Sequence, residues 1–139
     1  MEISIAQEYG YVVLTSLLGS LLVNFFLIYN VVAARKKYDV KYPALYSPTN
    51  ENFNCVQRAH QNYLENLTFF LVSGLVAGVV HPIPATACNV IYLIGRIVYA
   101  LGYYTGDPEK RSRGGFYILG FLGNMLLASH AGLRFAGLM

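Results

Sequence analysis

The sequence predicts an all-α fold, a transmembrane up-down-up-down four-helix bundle. Three observations carry that prediction. Hydrophobic residues make up 55% of the chain and charged residues only 12%, about half the charge that a soluble domain carries. Between Glu8 and Arg35 lie 26 uncharged residues, Tyr9 to Ala34, more than the ~20 needed to cross the hydrocarbon core. The apolar sequence that follows is broken only at short proline-containing stretches. Mean hydropathy is +0.44, and the runs are long and do not alternate, which excludes a β-barrel. The 139 residues give room for one membrane domain, 1–139.

Helix one is expected over about 9–34, closed by Arg35-Lys36-Lys37. Its apolar run follows Glu2 and Glu8 with no basic segment before it, so it is expected to be kept as a signal anchor. Turn signals follow at Tyr42-Pro43 and Ser47-Pro48-Thr49-Asn50. Helix two is expected over 53–80, polar in its first turns and apolar from Leu67. His81-Pro82-Ile83-Pro84 makes a tight turn. Helix three, 85–104, carries Arg96 in its middle. Asp107 is suited to cap a helix N-terminus with Pro108 at the first helical position and Glu109 in the first turn. Helix four is then expected over 108–133, with Gly114, Gly115, Gly120 and Gly123 permitting close approach.

The charge distribution predicts orientation. Arg35, Lys36, Lys37, Lys41, Arg58, Lys110, Arg111 and Arg113 belong to one face, and Arg134 alone to the other. The positive-inside rule puts the eight in the cytosol and both termini opposite. Tyr38, Tyr42, Tyr46, Tyr103 and Tyr104 gather at that end as an aromatic belt. A net charge of +3 is too small to argue for nucleic acid. Cys55 and Cys88 have neither metal nor redox spacing, no metal-ligand cluster is apparent, and the three histidines are scattered.

Polar side chains in membrane helices are costly and mark candidate sites. Arg58, Asn62 and Glu65 fall at i, i+4 and i+7 and share one helix face. A cation, an amide and a carboxylate on one stripe suit a zwitterionic, peptide-like ligand; they also suit a solvated helix start. His60 lies round the side. Arg96 needs a partner, and Glu65 is the acidic residue nearest its depth, so a Glu65–Arg96 pair is expected. Tyr99 and Tyr103 share the Arg96 face or nearly so, either as site residues or as belt. Arg111 and Arg113 lie about 200° apart on an α-helix, so only one can face a bundle or subunit interface. No nucleophile constellation is present, so a nucleophile would arrive with a cosubstrate.

The segments Phe53–Asn62, Leu64-Glu65 and Gly95–Gly106 resemble the MAPEG superfamily, the membrane-associated proteins in eicosanoid and glutathione metabolism. Glu8–Val13 and Ala34–Pro43 are similar to its microsomal glutathione S-transferases. The resemblance implies a homotrimer with glutathione as cosubstrate, bound between neighbouring subunits. It also implies an enzyme that activates the glutathione thiolate. Such an enzyme conjugates lipophilic electrophiles, as leukotriene C4 synthase does, or reduces lipid hydroperoxides. The candidate glutathione-binding residues are Arg35, Lys36, Arg58, His60, Asn62, Glu65, Arg96, Tyr99 and Tyr103. Arg113 is the expected thiolate-stabilising residue, with Arg111 as its rival. The resemblance further implies a multi-pass protein of the endoplasmic reticulum or outer mitochondrial membrane. One residue departs from the pattern: the tyrosine that follows the motif glutamate in leukotriene C4 synthase is Asn66 here. The alternative within the same family is a non-catalytic lipid-binding scaffold.

Overall fold

The computed structural model describes residues 5–139; Glu2, part of the signal-anchor expectation, lies outside them. The described chain is all helix and turn. Helix α1 spans Tyr9–Tyr38, with a π-helical stretch at Leu14–Gly19. It continues past Ala34 and stops where Asp39 turns left-handed, at φ 51°. Helix α2, Glu51–Val80, starts at Asn50, whose side chain accepts from the Phe53 amide. Helix α3, Pro82–Tyr103, follows after the single residue His81, with Pro82 at its first position, where a missing N–H costs nothing.

Helix α4 begins later than the sequence suggests. Asp107 does cap Pro108, accepting from the Glu109 amide, but Pro108–Gly114 is a 3₁₀ helix. The α-helix runs only over Tyr117–Phe135, bent 52° from it. The cause is packing against α3. A Cβ on Gly114 would collide with the Tyr99 backbone, and one on Gly102 with the Lys110 carbonyl. The 3₁₀ segment is thus pressed into α3 backbone to backbone, along a path that a straight α-helix starting at Pro108 would not follow. Helices α1, α2 and α3 are each long and apolar enough to cross a membrane, and the bent pair makes a fourth span.

The spans bury little inside the chain, and large apolar side chains such as Leu22, Phe25, Phe69, Leu119 and Leu126 face outward. A bundle surface of this kind meets lipid or other subunits rather than water. The core that remains centres on Tyr92, stacked on Phe70 at 4.0 Å and edge-on to Tyr117 at 5.8 Å.

Candidate functional site

Helix α2 carries the polar stripe on its outward face. Arg58 donates to both carboxylate oxygens of Glu65, Nη1 to Oε1 at 2.7 Å and Nη2 to Oε2 at 3.2 Å. Asn62 Nδ2 donates to Glu65 Oε2 at 3.4 Å. A single α-helical face therefore holds a fixed cation, amide and carboxylate, with Arg58 and Glu65 at 41% and 45% side-chain exposure. The pair is open to a ligand and weak as a structural brace. Beside it lies a cleft of about 250 Å³ lined by Cys55, Arg58, Tyr103 and Pro108 among others. The buried Cys55 thiol is turned toward the Gly106 carbonyl, 3.8 Å away.

The expected Glu65–Arg96 pair does not form. Glu65 is held by Arg58 on its own helix, where the i, i+7 geometry lets both oxygens engage at once. Arg96 points instead into the bundle at 1% exposure. Its guanidinium carbon lies 4.6 Å from the Tyr99 ring centre, 4.5 Å from Tyr117 and 5.7 Å from Tyr63. Nε and both Nη atoms are buried without a hydrogen-bond partner among the described residues. Three ring faces offer a desolvated cation attraction, but none accepts an N–H in the guanidinium plane. Tyr99 meets Tyr103 edge-on at 5.4 Å, so the two tyrosines do share the Arg96 side of α3. Next to them, just past the end of the span, burial pushes the Tyr104 hydroxyl above its ordinary pKa, which keeps it neutral.

The two arginines of the 3₁₀ segment separate. Arg111 is folded back, with Nη1 donating to the Pro108 carbonyl at 2.6 Å and its guanidinium 5.8 Å from the Tyr103 ring. Arg113 is exposed. Two residues on a 3₁₀ helix stand about 120° apart rather than the α-helical separation, so the expectation that only one can face a given side survives the change of helix type. The geometry turns Arg111 toward the Tyr103 cleft.

Arg35 and His60 lie elsewhere. They line a second cleft, about 210 Å³, between α1 and α2, together with Gln57 and Tyr42. Arg35 donates to the Ala44 carbonyl at 2.9 Å and stacks on Tyr42 at 4.3 Å, so it staples the first loop while reaching that cleft. His60 Nε2 donates to Asn24 Oδ1 at 3.1 Å. Lys36 is exposed beside them. At 100° per residue, Gln57 is about 100° and His60 about 160° round α2 from Arg58. One copy of the chain thus divides the candidate residues among two outer faces and one interior cage.

Sequence reasoning missed two constellations. Asn89 donates to Thr15 Oγ1 at 2.8 Å and to Ser16 Oγ at 2.9 Å, and accepts from Asn124 at 2.8 Å. His81 Nε2 and His130 Nδ1 are 2.8 Å apart, so these two histidines are a pair rather than scattered. Nothing in local spacing signals either; both join residues more than 30 apart.

Four apolar helical spans that carry a polar Arg58–Asn62–Glu65 stripe on one outward helix face define a multi-pass membrane protein with a candidate binding site. The chain belongs to the MAPEG family, whose profile matches residues 13–133. An uncharacterised protein of Synechocystis sp. is 43% identical over 103 residues, 73% of this chain and 71% of that protein. Leukotriene C4 synthase of Bos taurus is 33% identical over 96 residues, 68% of this chain and 62% of the synthase. The Cavia porcellus synthase is 35% identical over 98 residues, 70% of this chain and 63% of its own length. The matched segments therefore span less than two thirds of either synthase.

Proposed function

We propose that this protein is a glutathione-dependent membrane transferase and peroxidase. It would activate the glutathione thiolate and pass it to a lipophilic electrophile, in the manner of leukotriene C4 synthase, or use it to reduce a lipid hydroperoxide. The observation that carries the reading is the Arg58–Asn62–Glu65 stripe, open beside a cleft lined by Tyr103, whose ring lies 5.8 Å from the Arg111 guanidinium. Within the family, Glu8–Val13 and Ala34–Pro43 resemble microsomal glutathione S-transferase 3. Arg58 can grip a carboxylate bidentately, and Glu65 suits an ammonium. A cation at the thiol lowers its pKa from about 8.5 and raises the thiolate fraction; Arg111 is favoured over Arg113 for that role by its place at Tyr103. The lipid substrate would arrive laterally from the bilayer.

The division of site residues between two faces of α2 supports a site shared between copies, and the homotrimer is what the family resemblance implies. The basic end would face the cytosol, in the endoplasmic reticulum or outer mitochondrial membrane. The scaffold alternative draws on one observation, an apolar groove of about 410 Å³ between α2 and α4, lined by Phe69, Val72, Val76 and Met125 among others. The deciding assay gives the detergent-purified protein glutathione with either an epoxide or a lipid hydroperoxide. Turnover of one or both is expected; glutathione binding without any turnover would favour the scaffold.

A further inference from the structure

Arg96 is the largest side chain that the bundle buries completely, and its charge has no counterpart beside it. A guanidinium keeps its proton in any protein, so burial cannot neutralise it as it can a carboxyl or an amine. The cost is lowered only by a counter-charge and by acceptors for the N–H groups. Neither comes from the described residues. Nε and both Nη atoms are buried without partners, and Glu65 is engaged at both oxygens by Arg58 on the outward face of α2. A second orphan lies close by. The Tyr92 hydroxyl, one turn earlier on α3, is also buried without a partner. The Tyr117 ring joins the two residues, 5.8 Å from the Tyr92 ring and 4.5 Å from the Arg96 guanidinium carbon. Buried groups of this kind are rarely left unpaired.

The chemistry selects the ligand. Three guanidinium nitrogens and a hydroxyl can all donate, so what they lack is an acceptor. The unbalanced charge calls for an anion rather than water. Size narrows the choice. The rings of Tyr63, Tyr99 and Tyr117 stand 4.5–5.7 Å from the guanidinium carbon, and Arg96 lines none of the clefts described above. A cage this close suits a single-atom anion rather than a carboxylate-bearing molecule. We propose that Arg96 and Tyr92 form an interior halide site, with chloride as its ligand. The Arg96 N–H groups and the Tyr92 O–H donate to the ion, and the ion supplies the negative charge that the bundle lacks. Occupancy does not require glutathione.

The test uses the intact protein in detergent, without glutathione. The melting temperature is followed as chloride replaces gluconate at constant ionic strength, which holds screening fixed. A ligand bound only by the folded state stabilises it with the logarithm of its excess. The melting temperature should therefore rise by about 5 °C or more at 100-fold excess over the dissociation constant. Bromide should act like chloride, and Arg96→Met should show no rise. Tyr92→Phe should weaken chloride roughly 3- to 10-fold, the worth of one hydrogen bond. Anomalous diffraction from bromide-exchanged crystals should show an ion at the Arg96 guanidinium, which keeps the site testable if Arg96→Met fails to assemble. A rise that Arg96→Met retains, or bromide found on the surface alone, overturns the assignment. Chloride bound as tightly by Tyr92→Phe overturns the two-residue site. A melting temperature indifferent to the exchange overturns it as well, and leaves the cation to buried water.

Discussion

Two polar regions lie inside this bundle, and they are built on opposite principles. Toward the tight turn, Asn89 joins α3 to α1 and α4 through three hydrogen bonds of 2.8–2.9 Å, all between neutral groups. Two turns along α3, Arg96 carries a full charge and makes no hydrogen bond among the described residues. The first region spends its polarity on holding helices together. The second leaves donors unused, next to the tyrosines that lead to the Arg58 cleft. In a membrane the difference is telling: a neutral amide network can serve structure, whereas an uncompensated cation is a poor brace and a good electrostatic device.

The largest expected effect lies at the active end of that comparison. Removing an electrostatic stabiliser of a resident anion costs about 10²–10³ in kcat. Arg111→Ala should lose that much and raise the pKa of bound glutathione, read from thiolate absorbance against pH. Arg113→Ala should lose far less. Arg111→Lys keeps the charge without the planar fork and should fall between. If Arg113→Ala moves the thiolate and Arg111→Ala does not, the fold-back over Tyr103 is irrelevant to activation.

Arg96 sharpens the contrast through the sign of its effect. An unpaired buried cation costs several kcal/mol in desolvation, and exchange of buried charge for apolar side chains is often neutral or stabilising by about 1–4 kcal/mol. Lost cation–π attraction, about 2 kcal/mol or more for a desolvated cation, offsets part of this. Arg96→Met should therefore leave thermal stability unchanged or raised, while turnover falls. A large drop in melting temperature with normal turnover would make Arg96 structural.

The sequence makes the spans legible because a bilayer imposes one requirement on composition, and Tyr9–Ala34 meets it without a single charge. The stripe is legible because i, i+4 and i+7 lie on one face of any helix. The partner of Glu65 is not, since depth alone admits Arg96 and only the direction of each side chain selects Arg58. The 3₁₀ start at Pro108 is hidden for a related reason. An Asp-Pro-Glu start caps an α-helix and a 3₁₀ helix alike, and the choice is made by Gly102 and Gly114 pressing against backbone across the interface. Asn89 reads as one polar residue in an apolar run until Ser16 and Asn124 are brought to it.

Asn89 supplies the structural half of the test. Interhelical hydrogen bonds in membranes average about 0.6 kcal/mol, so Asn89→Leu, which removes three, should cost about 2 kcal/mol. Stability in detergent against added denaturant measures it. Turnover at saturating substrates should fall only as far as folded protein does. Asn124→Leu alone should cost less, and the double variant less than the sum, because both break the same bond. Additive losses would mean that the two amides do not act together.

The smallest effect is expected at His81, beyond the end of α2, where two histidine rings share one hydrogen bond. Burial first, then the nearby His130 and Arg134, lower the His81 pKa below its ordinary value. A base whose pKa is lowered on folding binds more protons when unfolded, so stability rises with pH across the gap. The contribution is complete above about 6.5, the ordinary histidine value, and is lost as pH falls from there through the lowered one. Protonation of His81 sets its charge beside Arg134, one of the groups that lower its pKa. The melting temperature should fall by about 2 °C or less per group on acidification through that window, and His81→Gln should flatten the fall. Arg134→Gln should shift it to lower pH-sensitivity, since it removes one of the charges that hold the proton off. A pH profile identical in wild type and His81→Gln would mean that the pair contributes nothing, and that the neutral network at Asn89 alone secures this end of the bundle.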